Sequence, residues 1–284
     1  MNFSDLSRRA LYTVISLFIL AALLVFAYAF PVQWIITCLA AILGAVAIWE
    51  FTKLAKMREQ ALYRQLLICA TVFVIVGFSV STLHSSLTLL PLILLFLSSI
   101  GLFLFHFNKI EGCIQSIAQG FFALFYIAVP LGLILRILYL DSSCHVMQEG
   151  RLWVVYLLIV TKITDVGAYF GGRLFGNKKL AAKISPGKTV MGAIAGFLSA
   201  VIFSFLFSAL DHVLPNFHIS FTESLYLGAV IGVLGQVGDL AESLIKRDAN
   251  VKDSNRLPGL GGVLDMLDSL LFTAPVIYFF LYFC

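Results

Sequence analysis

Residues 238–269 read GDLAESLIKRDANVKDSNRLPGLGGVLDMLDS, and the rest of the chain is read outward from them. The stretch holds six acids, Asp239, Glu242, Asp248, Asp253, Asp265 and Asp268, and four bases, Lys246, Arg247, Lys252 and Arg256. The whole chain of 284 residues has only 15 acids and 19 Lys and Arg, and 61% of its residues are hydrophobic. Apolar segments flank the stretch on both sides. Ionisable groups are costly in hydrocarbon, so charges of both signs gathered between two apolar segments mark a functional site.

Within the stretch, Asp239, Glu242, Ser243 and Lys246 fall at i, i+3, i+4 and i+7, which is one face of a helix. Glu242 and Lys246 are spaced to pair. Asp265 and Asp268 open the next apolar run at i and i+3, and Gly259, Gly261 and Gly262 let the intervening loop fold tightly. Asp239 and Asp265 are therefore expected to converge from facing helices. Converging carboxylates need a proton, a cationic side chain or a metal. With no His or Cys nearby, oxygen donors favour a hard ion such as Mg²⁺. The competing reading is a buried ion-pair network with Lys246, Arg247 and Lys252.

A mean hydropathy of +1.00 with 12% charged residues excludes an ordinary soluble domain, in which about a quarter of residues are charged. The apolar residues come in nine runs long enough to cross a hydrocarbon core as helix: Leu11–Ala29, Val32–Phe51, Leu66–Leu83, Leu87–Phe107, Ile117–Tyr139, Leu152–Tyr169, Val190–Leu210, Leu225–Ile245 and Val263–Tyr282. None shows the alternation of a barrel strand. The sequence thus predicts an all-α, polytopic membrane helix bundle of about nine transmembrane helices with its N-terminus cytoplasmic. Residues 1–116 form an N-terminal set of spans. Residues 117–284 form a catalytic transmembrane region with cytoplasmic loops 170–189 and 246–262. The first run is expected to be an uncleaved helix, since it exceeds a signal-peptide core and a second span follows at once.

Orientation follows from the basic residues. With the N-terminus inside, 16 of the 19 fall in inner segments, Arg151 alone in an outer loop, and Arg136 and Lys162 within spans. That split obeys the positive-inside rule. It also explains a sequence pI near 8.8 without nucleic acid. The five cysteines have no metal-ligand spacing and read as small apolar side chains. Pro130 predicts a kink in the fifth span.

The second polar stretch, Asp165–Thr189, reads DVGAYFGGRLFGNKKLAAKISPGKT. Lys162 and Asp165 share a helix face. Five glycines and five cations, Arg173, Lys178, Lys179, Lys183 and Lys188, suit polyphosphate binding through backbone N–H groups and Coulomb attraction. Gly187-Lys188-Thr189 looks like the end of a phosphate-binding loop, but Ala182 stands where the first glycine of that motif belongs. Ser185 and Thr189, in a run placed at a helix start, are positioned to cap the helix or meet a phosphate.

These two stretches resemble the phosphatidate cytidylyltransferase (CDP-diacylglycerol synthase) family. The resemblance is carried by Ser243, Lys246, Arg247, Lys252, Asp253, Gly261, Gly262, Asp265 and Asp268, by the run Asp165–Gly192, and more weakly by Trp49-Glu50-Phe51. Four features depart from the family pattern: Leu260 in place of His, Met266 in place of Arg, Met191 in place of Glu or Gln, and a gap one residue short before Gly261-Gly262.

The resemblance implies cytidylyl transfer from CTP to phosphatidate at the cytoplasmic side of a bacterial inner membrane. It implies Mg²⁺ on Asp239 and Asp265, a second, monovalent cation nearby, and a homodimer, with no role for nucleic acid. Lys246 and Asp268 would assist catalysis. Asp165, Ser185, Lys188, Thr189, Ser243, Arg247, Lys252 and Asp253 would bind substrate. A CTP-dependent lipid kinase and an ion-coupled transporter are the alternatives.

Overall fold

The computed structural model describes residues 3–55, 61–107, 110–140, 149–210, 213–214, 216–251 and 262–283, with side chains described from residue 14 apart from 61 and 62. The expectations placed on Lys252, Asp253, Arg256, Leu260 and Gly261 lie outside these residues.

Each apolar run forms a helix, because backbone N–H and C=O groups in hydrocarbon must be paired within their own segment. In chain order these are α1 (Phe3–Val25), α2 (Phe30–Leu54), α3 (Ala61–Leu83), α4 (Leu90–His106), α5 (Cys113–Leu138), α6 (Gly150–Phe175), α7 (Val190–Ala209), α8 (Phe221–Asp248) and α9 (Val263–Phe283). Among the described residues, eight helices are long and apolar enough to cross a membrane. Phe18, Phe96 and Leu92 on their outer faces are each about two-thirds exposed or more, the arrangement hydrocarbon favours and water does not. The chain is a multi-pass membrane protein.

Local sequence sets the helix ends. Pro31 and Pro91 sit in the first turns of α2 and α4, where their missing N–H costs nothing. Ser220 and Glu223 form a reciprocal capping box at the start of α8, with Ser220 N–H donating to Glu223 Oε2 at 2.7 Å. Pro130 falls directly after a π-turn at Leu124–Ala128, which interrupts the regular ladder where the proline ring would press on it.

One element differs from the sequence reading. Ser185–Thr189 does lead into a helix start, as expected, but it is extended rather than a turn. It is strand β2, paired antiparallel with β1 (Lys179–Ala181). Ile184 N–H returns to Ala181 C=O at 3.1 Å, and Val190 N–H bonds Lys178 C=O at 2.9 Å. Thr189 then caps α7, accepting Gly192 N–H at 3.1 Å. Pro186 and Gly187 disfavour a helical turn, and a two-stranded ribbon satisfies backbone groups that a bare loop would leave to water.

The helices α6, α7, α8 and α9 pack in succession, and α9 also touches α2 and α5, joining the two halves of the chain. Close approach between α6 and α7 depends on Gly196. A Cβ there would lie 2.8 Å from the Thr164 carbonyl oxygen, which is backbone and cannot move aside. The other end of the bundle is closed by aromatic rings: Trp153 packs at a tilt against Phe217, centroids 4.9 Å apart, and against Phe280, 5.6 Å apart. Below them Tyr156 Oη and Ser204 Oγ are 2.6 Å apart.

Replacing Gly196 by Val should cost about 2 kcal/mol through overpacking. A lowered melting midpoint of the detergent-purified protein is the expected reading, whereas Gly187→Ala, where an added Cβ meets nothing within 4 Å, should leave it unchanged.

Candidate functional site

The polar face of α8 meets the start of α9 and the hairpin. Register along this interface is fixed at Gly238, whose Cβ position lies 2.5 Å from the Asp268 carbonyl oxygen. Asp268 is thus level with Asp239, while Asp265 sits one turn away, level with Glu242 and Lys246. Two linked clusters result.

In the first, Lys246 Nζ lies between two carboxylates. It donates to Asp265 Oδ1 at 2.8 Å and pairs with Glu242, which is fully buried. Asp265 Oδ2 accepts Gly262 N–H at 3.4 Å. In the second, Lys188 reaches from β2 to Asp239 Oδ2 at 2.6 Å, and Ser243 Oγ lies 3.5 Å from Asp239 Oδ1. Asp165 holds Lys162 at 3.6 Å, and Lys162 also donates to the Met266 carbonyl at 3.3 Å. Asp239 and Asp165 are within electrostatic reach of Asp268, which is 6% exposed and accepts Ser269 N–H.

Asp165, Lys188 and Asp239 open onto a cavity of about 510 Å³. Its walls also carry Ser185, Thr189, Arg173 and Lys179, and the glycines Gly172, Gly176, Gly187 and Gly192. Cations and close-set backbone around such a volume suit a polyphosphate. Asp265, Asp268 and Lys246 are not among its described walls; they stand behind Asp239, toward α9. A wider groove of about 1030 Å³ lies on the lipid-facing side of α4 and α5 and is almost wholly apolar.

The structure therefore brings Asp165, Ser185, Lys188, Thr189 and Asp239 to one cavity and Lys246, Asp265 and Asp268 to the adjoining helix interface. Arg247 meets the hairpin. Its Nε donates to the Ile184 carbonyl at 3.0 Å, so it clamps the hairpin turn onto α8. Gln236 was not among the expected residues. It lines the cavity and donates to the Ala193 and Gly232 carbonyls at 3.1 and 2.8 Å, tying α8 to α7. An amide three residues before Asp239, on the same helix face, was its only sequence signal. Glu242 was legible as part of the α8 face, but not its full burial.

Among the described residues, no three acidic, His or Cys side chains close on one point as a self-sufficient metal cage. Mg²⁺ does not require one, because it keeps waters and takes one or two carboxylates plus substrate phosphates. The donor set is all oxygen. The buried Ser269 Oγ beside Asp268 and the Tyr126 hydroxyl near Asp268 and Glu242 have no hydrogen-bond partner among the described residues. Residues and ion are chemically compatible.

The model of the cytidylyltransferase family matches residues 8–284. The chain belongs to this family. It is 40% identical over 176 residues to a phosphatidate cytidylyltransferase of Chlamydia pneumoniae, covering 60% of this chain and 56% of that protein. It is 39% identical over 193 residues to the one of Chlamydia trachomatis serovar D, covering 67% and 63%. To the one of Bacillus subtilis it is 42% identical over 135 residues, covering 47% and 49%. The matched part thus spans between about half and two-thirds of the length of these relatives. In this chain Met266 replaces the expected arginine with an apolar side chain, yet its carbonyl receives the Lys162 ammonium, so a cation still occupies the neighbourhood.

Removing Lys246 leaves Glu242 buried without its cation. Lys246→Met should destabilise the protein by about 3 kcal/mol. The double variant Glu242→Gln with Lys246→Met should recover most of that loss, read as the melting midpoint in detergent.

Proposed function

We propose that the chain transfers a cytidylyl group from CTP to phosphatidate, giving CDP-diacylglycerol and pyrophosphate, at the cytoplasmic face of a bacterial inner membrane. The observation that carries this is the cation-walled cavity at Asp239, lying in a lipid-embedded chain of the cytidylyltransferase family.

A phosphate monoester is already ionised near neutral pH. It needs no catalytic base, which suits a site whose described lining has no histidine. What the reaction needs is alignment and relief of repulsion between two anions. One phosphatidate oxygen forms a bond to the α-phosphorus of CTP. The bond from that phosphorus to the bridging oxygen breaks, and pyrophosphate leaves with the electron pair.

Lys188 is held by Asp239 at 2.6 Å, which poises its ammonium at the cavity wall for an arriving phosphate. Lys179 and Arg173 line the same wall and add charge for the nucleotide tail. Ser185 and the Gly187 backbone supply neutral donors beside them. Lys246 holds Asp265 in place through a 2.8 Å bond, and Lys162 keeps the Met266 turn of α9 against α6. Arg247 keeps the hairpin seated over the cavity. Lys252 and Asp253 are assigned to substrate on the resemblance alone.

Asp239 and Asp265, with Asp268, would hold Mg²⁺, and a monovalent cation is its companion in this reading. When bound, Mg²⁺ would polarise the phosphoryl oxygens and stabilise the leaving pyrophosphate. The acyl chains would enter sideways between helices. The homodimer is likewise proposed from the resemblance.

The test is purified protein in detergent with labelled CTP and phosphatidate. Label should enter lipid with release of pyrophosphate, stop on chelation and return with Mg²⁺. Asp265→Asn should lower turnover on the order of 100-fold. Release of CDP would instead indicate a kinase, and solute flux in proteoliposomes without CTP chemistry a transporter.

A further inference from the structure

Helix α9 starts without a cap of its own. The residue before Val263 is Gly262, which has no side chain to accept the first free N–H groups of the helix. The missing acceptor comes from 213 residues earlier in the chain. Glu50, near the end of α2 and 0% exposed, accepts Val263 N–H on Oε1 at 3.1 Å and Leu264 N–H on Oε2 at 2.9 Å. Gly262 N–H goes to Asp265 at 3.4 Å. One carboxylate therefore grips two successive amides and places negative charge at the positive end of the α9 dipole.

We infer that Glu50 is a positioning residue that sets the axial height and rotation of α9, and so places Asp265 and Asp268 against α8. Two divergent bonds from one rigid group fix rotation as well as height, which a single cap bond does not. The angle matters because Asp265 lies one residue past Leu264 and Asp268 one turn further on. A small roll of α9 would take Asp265 off Lys246 and Asp268 away from Asp239. Glu50 is itself fixed, since Phe51 packs on Phe122 of α5 at 5.8 Å and Lys53 lies 3.0 Å over the Trp49 ring. The N-terminal spans thereby contribute to the site without reaching the cavity.

The structural half of this inference is independent of the reaction; its kinetic half rests on the cytidylyl-transfer reading. The experiment uses the full chain in detergent with Glu50→Gln and Glu50→Ala. Hydrogen exchange at residues 262–265 is measured beside CTP turnover, KM for CTP and the Mg²⁺ concentration at half-maximal rate. Glu50→Ala should lose amide protection at 263–264 by roughly tenfold, the change that a lost cap produces. The turnover number should fall and the Mg²⁺ requirement rise, with KM for CTP held within roughly twofold. Glu50→Gln keeps one acceptor oxygen and should lie between, a partial rescue that a general loss of stability would not produce.

Wild-type protection at 263–264 in both variants would overturn the inference. Lost protection with unchanged turnover and Mg²⁺ dependence would reduce Glu50 to a helix cap and overturn its positioning role. If Glu50→Ala does not yield a monodisperse protein, Glu50→Gln alone decides. If the wild-type protein transfers no cytidylyl group, the reaction assignment fails by itself, and the exchange measurement still decides whether Glu50 holds α9.

Discussion

A carboxylate withdrawn from water must find a cation or a set of N–H donors, and this requirement shapes the charged end of the bundle. Glu242 and Asp265 share Lys246, and Asp239 takes Lys188 from a strand. Asp165 takes Lys162, and Glu50 takes two backbone amides. The Asp265–Lys246 and Asp239–Lys188 pairs and the Glu50 bonds each join two elements, so neutralising these charges also aligns the elements. The α8–α9 register, the seating of the hairpin and the start of α9 are consequences of the same demand.

That arrangement also suits a polyanionic substrate. The lysines that balance the carboxylates are the groups an incoming phosphate would recruit, and a hard divalent ion would take up the carboxylates so released. An exchange of partners of this kind costs less than building a charged pocket from unpaired groups. It explains why acids and bases appear in near-equal numbers here while the remaining surface of the helices is apolar. The hairpin gives the cations a mobile side-chain reach from a fixed backbone, because Arg247 holds the turn and Thr189 ties its end to α7.

Much of this was legible in the sequence. Among the described residues the nine apolar runs are helical, eight of them long and apolar enough to cross a membrane, since hydrocarbon leaves a single chain segment little other choice. The i, i+3, i+4, i+7 spacing from Asp239 to Lys246 did place those residues on one face, and Glu242 did pair with Lys246. The hairpin was not legible. Its strands are three and five residues long, and a helix-cap residue at Thr189 suits either a preceding turn or a preceding strand. The roles of Arg247 and Glu50 were also hidden. Arg247 looks like any other cation of the stretch, and Glu50 looks like the ordinary end of a span.

Composition, hydropathy and the local spacing of charges determined the class of the protein, the positions of its helices and the two stretches where its charges gather. Those properties depend on neighbours in the chain, so the order of residues is enough to fix them. Tertiary structure alone decided which carboxylate faces which lysine, that Asp268 rather than Asp265 lies level with Asp239, and that a glutamate on the second helix anchors the start of the last. Such pairings depend on how far one helix slides and rolls against another. A roll of a few tens of degrees leaves every local spacing unchanged while moving a carboxylate by several ångströms.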